Sequence, residues 1–387
     1  MRRPSESTLL FAVSPALDGY LTVTTGFIIA ALIASQNITA IEVSLLAGGF
    51  MTGTFLGAAL IGRPADRFGR APFARTLLSA MVPLLALPFL TDRIDVLIAF
   101  QIILGLLIGA DQPISQAYIT ETSTNANRRR RLSSLMLAWY FGALVAIGMM
   151  PILSMANLSW RGFYLLPLGL TFIAAFVRYF VNETPAWTPN IDQQTQNESL
   201  FSTHARSLFF CCSFWLCQTI PVTVLMFYSP VILADVTGSD DQIGRITLIY
   251  CLFLVGTLPM TFLTRQQKPN RILKYTAMAM ACGLCLVAIV GNQSPFLLSL
   301  AFAIYALAYG MQTTLDNLYP NILFPTRLRA RAVGTILAVS RVGSALSAFV
   351  FPLLMSHFDL KPILLGGALI ALLGYASILV LPKEARN

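Results

Sequence analysis

Long apolar runs follow one another along the whole chain, and they constrain its fold more than any other feature of the sequence. A helix that crosses a bilayer needs about 20 mostly apolar residues. Only 11% of the residues are charged, against about 25% in a typical soluble protein. We therefore predict an all-α membrane protein of twelve transmembrane helices. The predicted spans are roughly 8–34, 42–62, 72–91, 95–119, 133–154, 162–182, 207–233, 243–264, 273–291, 295–318, 332–355 and 362–381.

Charge, cysteine and histidine content argue against several classes of function. The net charge of +9 would suggest a nucleic-acid partner in a soluble protein, but the positive-inside rule accounts for it here. The six cysteines lie in apolar segments, so we expect no disulfide framework and interpret Cys282 and Cys285 as packing residues. His204 and His357 fall in different predicted loops, and no nucleophile–base set is present. We expect no metal, no cofactor and no enzymatic activity.

Basic residues are concentrated in alternate loops, which sets the predicted orientation. Clusters at 63–75, 128–131, 265–274 and 327–331 fall on one side, whereas the opposite loop "ADVTGSDDQ" (234–242) is acidic. The positive-inside rule then places both termini in the cytoplasm. The first run, Leu9 to about Ala34, is too long for the apolar part of a cleaved signal peptide. We expect a multi-pass protein of a bacterial inner (plasma) membrane, working as a monomer.

A polar stretch in the middle of the chain separates six spans from six. We assign 1–183 to an N-terminal six-helix bundle, 184–206 to a cytoplasmic linker and 207–387 to a C-terminal six-helix bundle. The halves are similar at an offset of about 200 residues: "RRRRLSSLMLAWYFGAL" (128–144) and "RLRARAVGTILAVSRVGSAL" (327–346) both place a basic cluster before a span that begins with small residues. Paired, pseudo-symmetric halves are typical of transporters with a site between the repeats.

The segment "IGRPADRFGRAPFAR" (61–75) lies between two predicted spans and contains four arginines and one aspartate. Gly62 and Gly69 bracket Pro64, so we predict a tight turn rather than a helix. Asp66 adds nothing to a positive-inside signal and can accept hydrogen bonds from a helix N-terminus. Ion pairs around Arg70 can add to the same contact.

The resulting set is a predicted gate on the cytoplasmic side: Gly62, Asp66, Gly69, Arg70, Glu121 and Arg128. The alternative is that the arginines only fix topology, and we favour that alternative for Arg63, Arg67, Arg75 and most of 128–131.

Four motifs in this chain resemble those of the major facilitator superfamily. "GRPADRFGR" (62–70) resembles its loop 2–3 signature G-x-x-x-D-x-x-G-R, and "LLIGADQPIS" (106–115) is similar to the fourth-span motif of phosphate and organic-metabolite proton symporters. "NETPAW" (182–187) and "LFPTRLRARAVG" (323–334) resemble the "ESPRW" and "E-x-FPT-x-x-R" segments of sugar-porter relatives. The resemblance implies a rocker-switch transporter whose first, fourth, seventh and tenth spans line one cavity.

The chain also departs from those motifs. Gln101 and Ile322 stand where the family has an arginine and an acid. Of the seventh-span pattern of sugar porters, the chain keeps Gln218 and Tyr228 but little else. These departures do not favour a hexose substrate.

Charged residues inside spans are costly and are therefore functional candidates. Asp18 and Asp111 would share the N-terminal wall of the cavity, with no arginine nearby. Burial and a like-charged neighbour favour the protonated form of a carboxylate, so we predict that one of the two carries a coupling proton. The alternative for each is a structural acid capped by backbone or hydroxyl groups. Arg178 is predicted to snorkel to the cytoplasmic interface without a function.

Polar side chains in the same spans are the candidates for substrate binding. Asp316 and Arg341 either form a static bridge or contact the substrate. The predicted substrate-binding residues are Gln112, Tyr140, Gln218, Tyr228, Asp316, Asn317 and Arg341.

Three functions compete. The first is proton-coupled uptake of a small hydrophilic metabolite, such as an organic acid, a sugar derivative or a phosphate-like anion. The second is proton-driven efflux of drugs or metabolites. The third is a nutrient sensor that transports nothing, which we would expect to carry a large signalling tail. The motifs shared with porter families favour uptake, by analogy.

Overall fold

The computed structural model describes residues 4–36, 38–123, 125–183, 203–237, 242–263, 269–290, 295–324 and 326–380. Its regular structure in these ranges is helical, with short 3₁₀ helices at Leu87–Phe89, Trp160–Tyr164 and Ser377–Val380. The twelve α-helices within these ranges are α1 (Pro4–Gln36), α2 (Ala40–Phe68), α3 (Arg70–Ala86), α4 (Ile94–Glu121), α5 (Asn125–Met155), α6 (Leu165–Tyr179), α7 (Ala205–Thr237), α8 (Gln242–Leu263), α9 (Pro269–Val290), α10 (Pro295–Leu323), α11 (Thr326–Met355) and α12 (Leu360–Ala376).

Most of these helices are long and apolar enough to cross a membrane. In the part of the chain that the structure describes, eleven stretches meet both conditions, and α8 holds a shorter apolar stretch, Gly244–Thr257. Helices suit this environment because every backbone N–H and C=O group is satisfied within the segment. The prediction of an all-helical protein with twelve helices is confirmed.

The chain divides into two compact units, Met1–Asp192 and Gln193–Asn387, called here the N-terminal and C-terminal units. In the N-terminal unit α2 packs on α4, α1 on α5 and α3 on α6. In the C-terminal unit α8 packs on α10, α7 on α11 and α9 on α12. The same pairing therefore recurs six helices later. The predicted linker, 184–206, lies outside the described residues as far as position 202.

Glycines allow the second and fourth helices of each unit to touch through their backbones. A Cβ atom on Gly105 of α4 would lie 2.1 Å from the carbonyl oxygen of Phe50 in α2. In the C-terminal unit, a Cβ atom on Gly310 of α10 would lie 2.3 Å from the carbonyl oxygen of Phe253 in α8. Small residues at such crossings are typical of membrane helices, which associate through close packing.

Each unit has its own apolar core. In the N-terminal unit Phe11 of α1 stacks on Tyr118 of α4, with ring centroids 4.2 Å apart. In the C-terminal unit Tyr319 of α10 makes edge contacts with Phe210 and Phe214 of α7, at 4.8 and 5.7 Å. These cores adjoin the buried aspartates of the two units.

The segment predicted to be a tight turn is helical. Helix α2 continues through Pro64 to Phe68, and the chain turns only at Gly69, whose φ is 96° and ψ is 165°. Proline removes one helix hydrogen bond, which membrane helices tolerate, so Pro64 does not end α2. Glycine is nearly the only residue that adopts the backbone conformation of Gly69. The sequence prediction of a tight turn around Pro64 was wrong, and the gating role predicted for Gly69 stays a prediction.

Candidate functional site

Asp111 of α4 and Arg178 of α6 form a buried ion pair in the N-terminal unit. Nη1 of Arg178 lies 2.6 Å from Oδ1 of Asp111, and the arginine is 0% exposed. The guanidinium carbon also lies 4.4 Å from the centre of the Phe11 ring on α1, in a cation–π contact. The charge of each partner is therefore neutralised away from solvent.

Two serines add hydrogen bonds to this pair. The Ser14 hydroxyl of α1 donates to Oδ2 of Asp111 and accepts from Nη2 of Arg178 at 2.5 Å. Ser115, one turn after Asp111, accepts from the same nitrogen at 3.2 Å. Such hydrogen bonds help a buried ion pair to be tolerated, although Nε of Arg178 has no partner among the described residues. The cluster thus ties α1, α4 and α6 together.

Two sequence expectations about this cluster were wrong. Arg178 does not snorkel to the interface, and Asp111 does have an arginine inside the membrane-spanning part of the unit. Position along a predicted span estimates the depth of a residue but not which way its side chain points, because direction depends on the helices packed around it. Arg178 is the principal residue of this site that sequence reasoning missed.

Asp18 of α1 has different described neighbours. It is 2% exposed, and the indole Nε1–H of Trp139 in α5 donates to its Oδ2 at 3.0 Å. The Thr22 hydroxyl approaches Oδ1 at 3.4 Å. Both donors are neutral. Trp139 also makes an edge-to-face contact with the buried Tyr140, with centroids 5.3 Å apart. Trp139 therefore contacts both a predicted proton carrier and a predicted substrate-binding residue.

In the C-terminal unit the described hydrogen-bond partner of Asp316 is a glutamine. Nε2 of Gln218 in α7 donates to Oδ2 of Asp316 in α10 at 3.1 Å, and both side chains are buried. The bridge between Asp316 and Arg341, one of the two alternatives left open by the sequence, is not among the ion pairs of the described residues. Arg341 is half-buried in α11 and makes other contacts. Two predicted substrate-binding residues therefore contact each other directly.

The remaining predicted substrate-binding residues have varied surroundings. Tyr228 of α7 donates its hydroxyl to the carbonyl oxygen of Ala348 at 2.6 Å and stacks on Phe351, so its described contacts join α7 to α11. Gln112 is half-buried in α4. The side chain of Asn317 lies outside the described residues. Substrate roles for these residues stay predictions.

The predicted gate contains one ion pair that the structure describes. Nη2 of Arg70, the first residue of α3, lies 3.0 Å from Oε1 of Glu121, the last residue of α4. Both side chains are largely buried. The side chains of Asp66 and Arg128 and the surroundings of Gly62 lie outside what the structure describes.

The acid that caps the N-terminus of α3 is Glu183, which sequence reasoning did not select. Its carboxylate accepts hydrogen bonds from the backbone N–H groups of Arg70 and Ala71, at 3.1 and 3.0 Å. A negative group is favourable there because of the helix dipole and the unsatisfied N–H groups. A Cβ atom on Gly69 would lie 2.3 Å from Oε2 of Glu183. The signal in the sequence was the motif "NETPAW", which contains Glu183.

Arg75 contributes to the same end of the unit. Its Nε donates to the carbonyl oxygen of Val181 at 3.2 Å, and the Tyr118 hydroxyl donates to the carbonyl oxygen of Asn182 at 3.1 Å. The chain after α6 is thus held against α3 and α4. We interpreted Arg75 as fixing topology only, and this contact adds a packing role.

The potential metal ligands and the cysteines are distributed over several of the described ranges. Within those ranges no group of three or more His, Cys, Asp and Glu side chains is placed to hold a metal ion. The cysteines are present as free thiols, and Cys211 is buried.

Comparison with known proteins agrees with this architecture. The sequence matches the Major Facilitator Superfamily over residues 11–348. It is 29% identical to YaaU of Escherichia coli (strain K12), named as a candidate metabolite transport protein, over 96% of this chain and 90% of the relative. It is 23% identical to the inner membrane metabolite transport protein YgcS of the same organism, over 92% of this chain and 86% of the relative. The crystal structure of a D-xylose–proton symporter superposes with a TM-score of 0.83 and 18% identity, covering 98% of both chains.

Proposed function

We propose that this chain, which belongs to the Major Facilitator Superfamily, uses the proton gradient to take up a small hydrophilic metabolite. Membership of the family makes it a multi-pass integral membrane protein that transports small molecules, and not an enzyme. The coupling to protons, the direction of transport and the class of substrate are the parts that we propose.

The contrast between Asp18 and Asp111 supports proton coupling. Asp111 faces a guanidinium, so protonating it would leave the charge of Arg178 buried without its partner. Asp18 is equally buried, but its described donors, Trp139 and Thr22, are neutral. Both of these donors can keep their hydrogen bonds to Asp18 when it binds a proton, because neither carries a charge. We assign the coupling proton to Asp18 and a structural role to Asp111.

The names of the relatives support two parts of the proposal, the transport of a metabolite and the location in the inner membrane. YaaU and YgcS are both named for metabolite transport, and YgcS for the inner membrane. The solved structure that shares this fold is that of a D-xylose–proton symporter. We propose the inner membrane for this chain as well, with both termini in the cytoplasm because basic residues crowd that side, and a monomer as the working unit.

The network at the ends of α3, α4 and α6 is our candidate for a gate element. Glu183 caps α3, and Arg70 pairs with Glu121. Ion pairs of this kind are individually weak, so a network of them can break and re-form during a transport cycle. We propose that this network holds the cytoplasmic ends of α3 and α4 together in one state of the transport cycle and releases them in another.

Uptake into proteoliposomes tests the proposal. A panel of polyols, amines, organic acids and phosphate is offered with and without a pH gradient that is acidic outside. We expect the wild-type protein to accumulate one class of these compounds, and to do so only when the pH gradient is present. Asp18→Asn should still equilibrate that substrate but not concentrate it, because the proton-binding group is gone. Asp92→Asn, at an exposed acid, is the matched control.

Accumulation by Asp18→Asn equal to that of the wild type would contradict the assignment of the proton. A requirement for the opposite gradient would replace uptake with efflux. Absence of flux for the whole panel, in either direction, would contradict transport of a small hydrophilic metabolite.

A further inference from the structure

Among the described residues of the C-terminal unit, three buried amide or carboxylate oxygen atoms have no hydrogen-bond donor. They are Oε1 of Gln218, Oε1 of Gln312 and Oδ1 of Asp316. The side chains are 1%, 3% and 7% exposed. Buried polar atoms in folded proteins are nearly always hydrogen-bonded, so each exception needs an explanation.

The three residues belong to one constellation. Gln312 and Asp316 are four residues apart on α10, which puts them on the same face of the helix, one turn from each other. Gln218 reaches this face from α7, since its amide nitrogen donates to Oδ2 of Asp316 at 3.1 Å. That contact uses a donor of Gln218 and leaves its oxygen without one. The unfilled positions are all acceptors, and one of them belongs to a carboxylate.

The N-terminal unit shows that a missing donor is not the rule for a buried aspartate in this protein. Asp111, also on the fourth helix of its unit, is satisfied by Arg178 and two serine hydroxyls. Gln101 of α4 also has an Oε1 without a partner. Its amide nitrogen, however, donates to the Thr25 hydroxyl at 3.4 Å and not to a carboxylate. Gln101 therefore provides a matched residue outside the constellation.

We propose that Gln218, Gln312 and Asp316 form a substrate subsite for a group that brings N–H or O–H donors and no negative charge. This inference rests on the proposed transport function and narrows its substrate class. Polyol hydroxyls and an ammonium group both supply the missing donors. A carboxylate or a phosphate supplies none with its charged oxygens and is repelled by Asp316. Among the substrates considered above, the subsite favours a sugar derivative or polyol, or an amine, over an organic acid or phosphate.

Substitution of Asp316 separates the two sources of donors. Asn keeps an acceptor oxygen at this position but removes the negative charge. A polyol should then lose little affinity, whereas an ammonium group should lose its ion pair, and charged hydrogen bonds are the stronger kind.

Ligand binding to the purified protein in detergent tests the subsite without a membrane or a gradient. Thermal unfolding is followed with myo-inositol, xylitol, propylamine, putrescine, benzoate and inorganic phosphate as probes. We expect a polyol or an amine to raise the midpoint of the wild-type protein, and benzoate and phosphate to leave it unchanged. Gln312→Leu should weaken the apparent affinity for the effective probe about tenfold, since a good polar contact is lost. Gln101→Leu should bind it as the wild type does.

A second variant, designed to bind amines more tightly, keeps the proposal testable if Gln312→Leu folds poorly. Gln312→Glu adds a second negative charge to the constellation, so it should strengthen amine binding relative to polyol binding. Folding of each variant is checked by circular dichroism and size-exclusion chromatography.

Three results would overturn the subsite. In the first, benzoate or phosphate stabilises the wild-type protein and Arg341→Gln abolishes the effect. In the second, no polyol or amine in the panel binds. In the third, Gln312→Leu, Gln312→Glu and Asp316→Asn all bind the effective probe as the wild type does. Binding of a polyol or an amine without uptake would contradict the proposed function and leave the subsite in place. Proton-driven uptake of an anion would contradict the subsite and leave the proposed function in place.

Discussion

Asp111 and Asp316 are both buried carboxylates on the fourth helix of a six-helix unit, yet their contacts have little in common. Asp111 is bonded to Arg178 and to the hydroxyls of Ser14 and Ser115. Among the described residues, Asp316 accepts one hydrogen bond, from Gln218, and its other oxygen has no partner. Because the two units repeat the same helix pairings, the difference comes from the side chains and not from the backbone.

The difference shows how one fold can give two buried acids different tasks. A charge that is fully compensated is tolerated at low cost and is hard to change, so it suits a fixed part of the structure. An acceptor without a donor is costly until something supplies one, so it suits a partner that comes and goes. The N-terminal pair is therefore interpreted as a structural element and the C-terminal group as a binding element.

The largest effect is expected from Arg178→Met. Removing the guanidinium leaves Asp111 as an uncompensated buried charge, which should lower the free energy of unfolding by about 3–5 kcal/mol. Unfolding in mixed micelles measures it. Arg93→Met is the control, because Arg93 is 75% exposed in its pair with Asp95 and its loss should hardly change stability. Similar values for the two variants would mean that the buried pair has no special role.

The sharpest contrast is between Asp111→Asn and Asp316→Asn. The first leaves Arg178 charged and without its counter-ion, and should destabilise the protein by about 3 kcal/mol. The second removes a buried charge that has one neutral partner, so the unliganded protein should be as stable as the wild type or more stable. The same unfolding assay compares them. Equal destabilisation by the two substitutions would contradict the distinction between the aspartates.

A smaller effect is expected at the cytoplasmic end of the N-terminal unit. Glu183→Ala leaves the first N–H groups of α3 without an acceptor and should cost about 2 kcal/mol. Hydrogen exchange should report it locally, as faster exchange of the Arg70 and Ala71 amides. Exchange in α9, the corresponding helix of the C-terminal unit, serves as the internal reference. Unchanged exchange at Arg70 and Ala71 would show that Glu183 does not cap α3 in solution.

The smallest effect is expected for the pair between Arg70 and Glu121. Glu121→Gln should reduce stability by less than about 1 kcal/mol, because a partly exposed pair gains little over water. The loss should shrink further when the salt concentration is raised to about 0.5 M, where charges are strongly screened. A loss as large as that of Arg178→Met would place the principal charge contact of the unit at its cytoplasmic end instead.

The helices and the repeat were predictable from the sequence because both rest on local properties. A bilayer requires a helix wherever about 20 apolar residues occur, so the composition of each run was sufficient. The continuation of α2 through Pro64 was not predictable in this way, since glycine and proline signal a turn in water more strongly than inside a membrane helix. The turn at Gly69 and the proximity of Gly69 to Glu183 depend on how α3 packs against the chain after α6, which the sequence alone does not give.

The site was predictable in part. Asp18, Asp111 and Asp316 were selected because a charge inside a span is costly and therefore conspicuous. Their partners were harder to select. The direction of the Arg178 side chain is set by the packing of α6 against its neighbours, and Gln312 is a neutral residue that attracts no notice in a sequence. Such contacts depend on which faces of distant helices meet.

Two double-mutant cycles, measured side by side, test the central claim most directly. One cycle combines Asp111→Leu with Arg178→Met, and the other combines Asp316→Leu with Gln218→Leu. Residues of one buried ion pair should be coupled by about 2–3 kcal/mol, whereas the amide and the carboxylate should be coupled by less than about 1 kcal/mol. Equal coupling energies, or a larger value for the C-terminal pair, would contradict the account in which Asp111 belongs to a structural ion pair and Asp316 to a binding site.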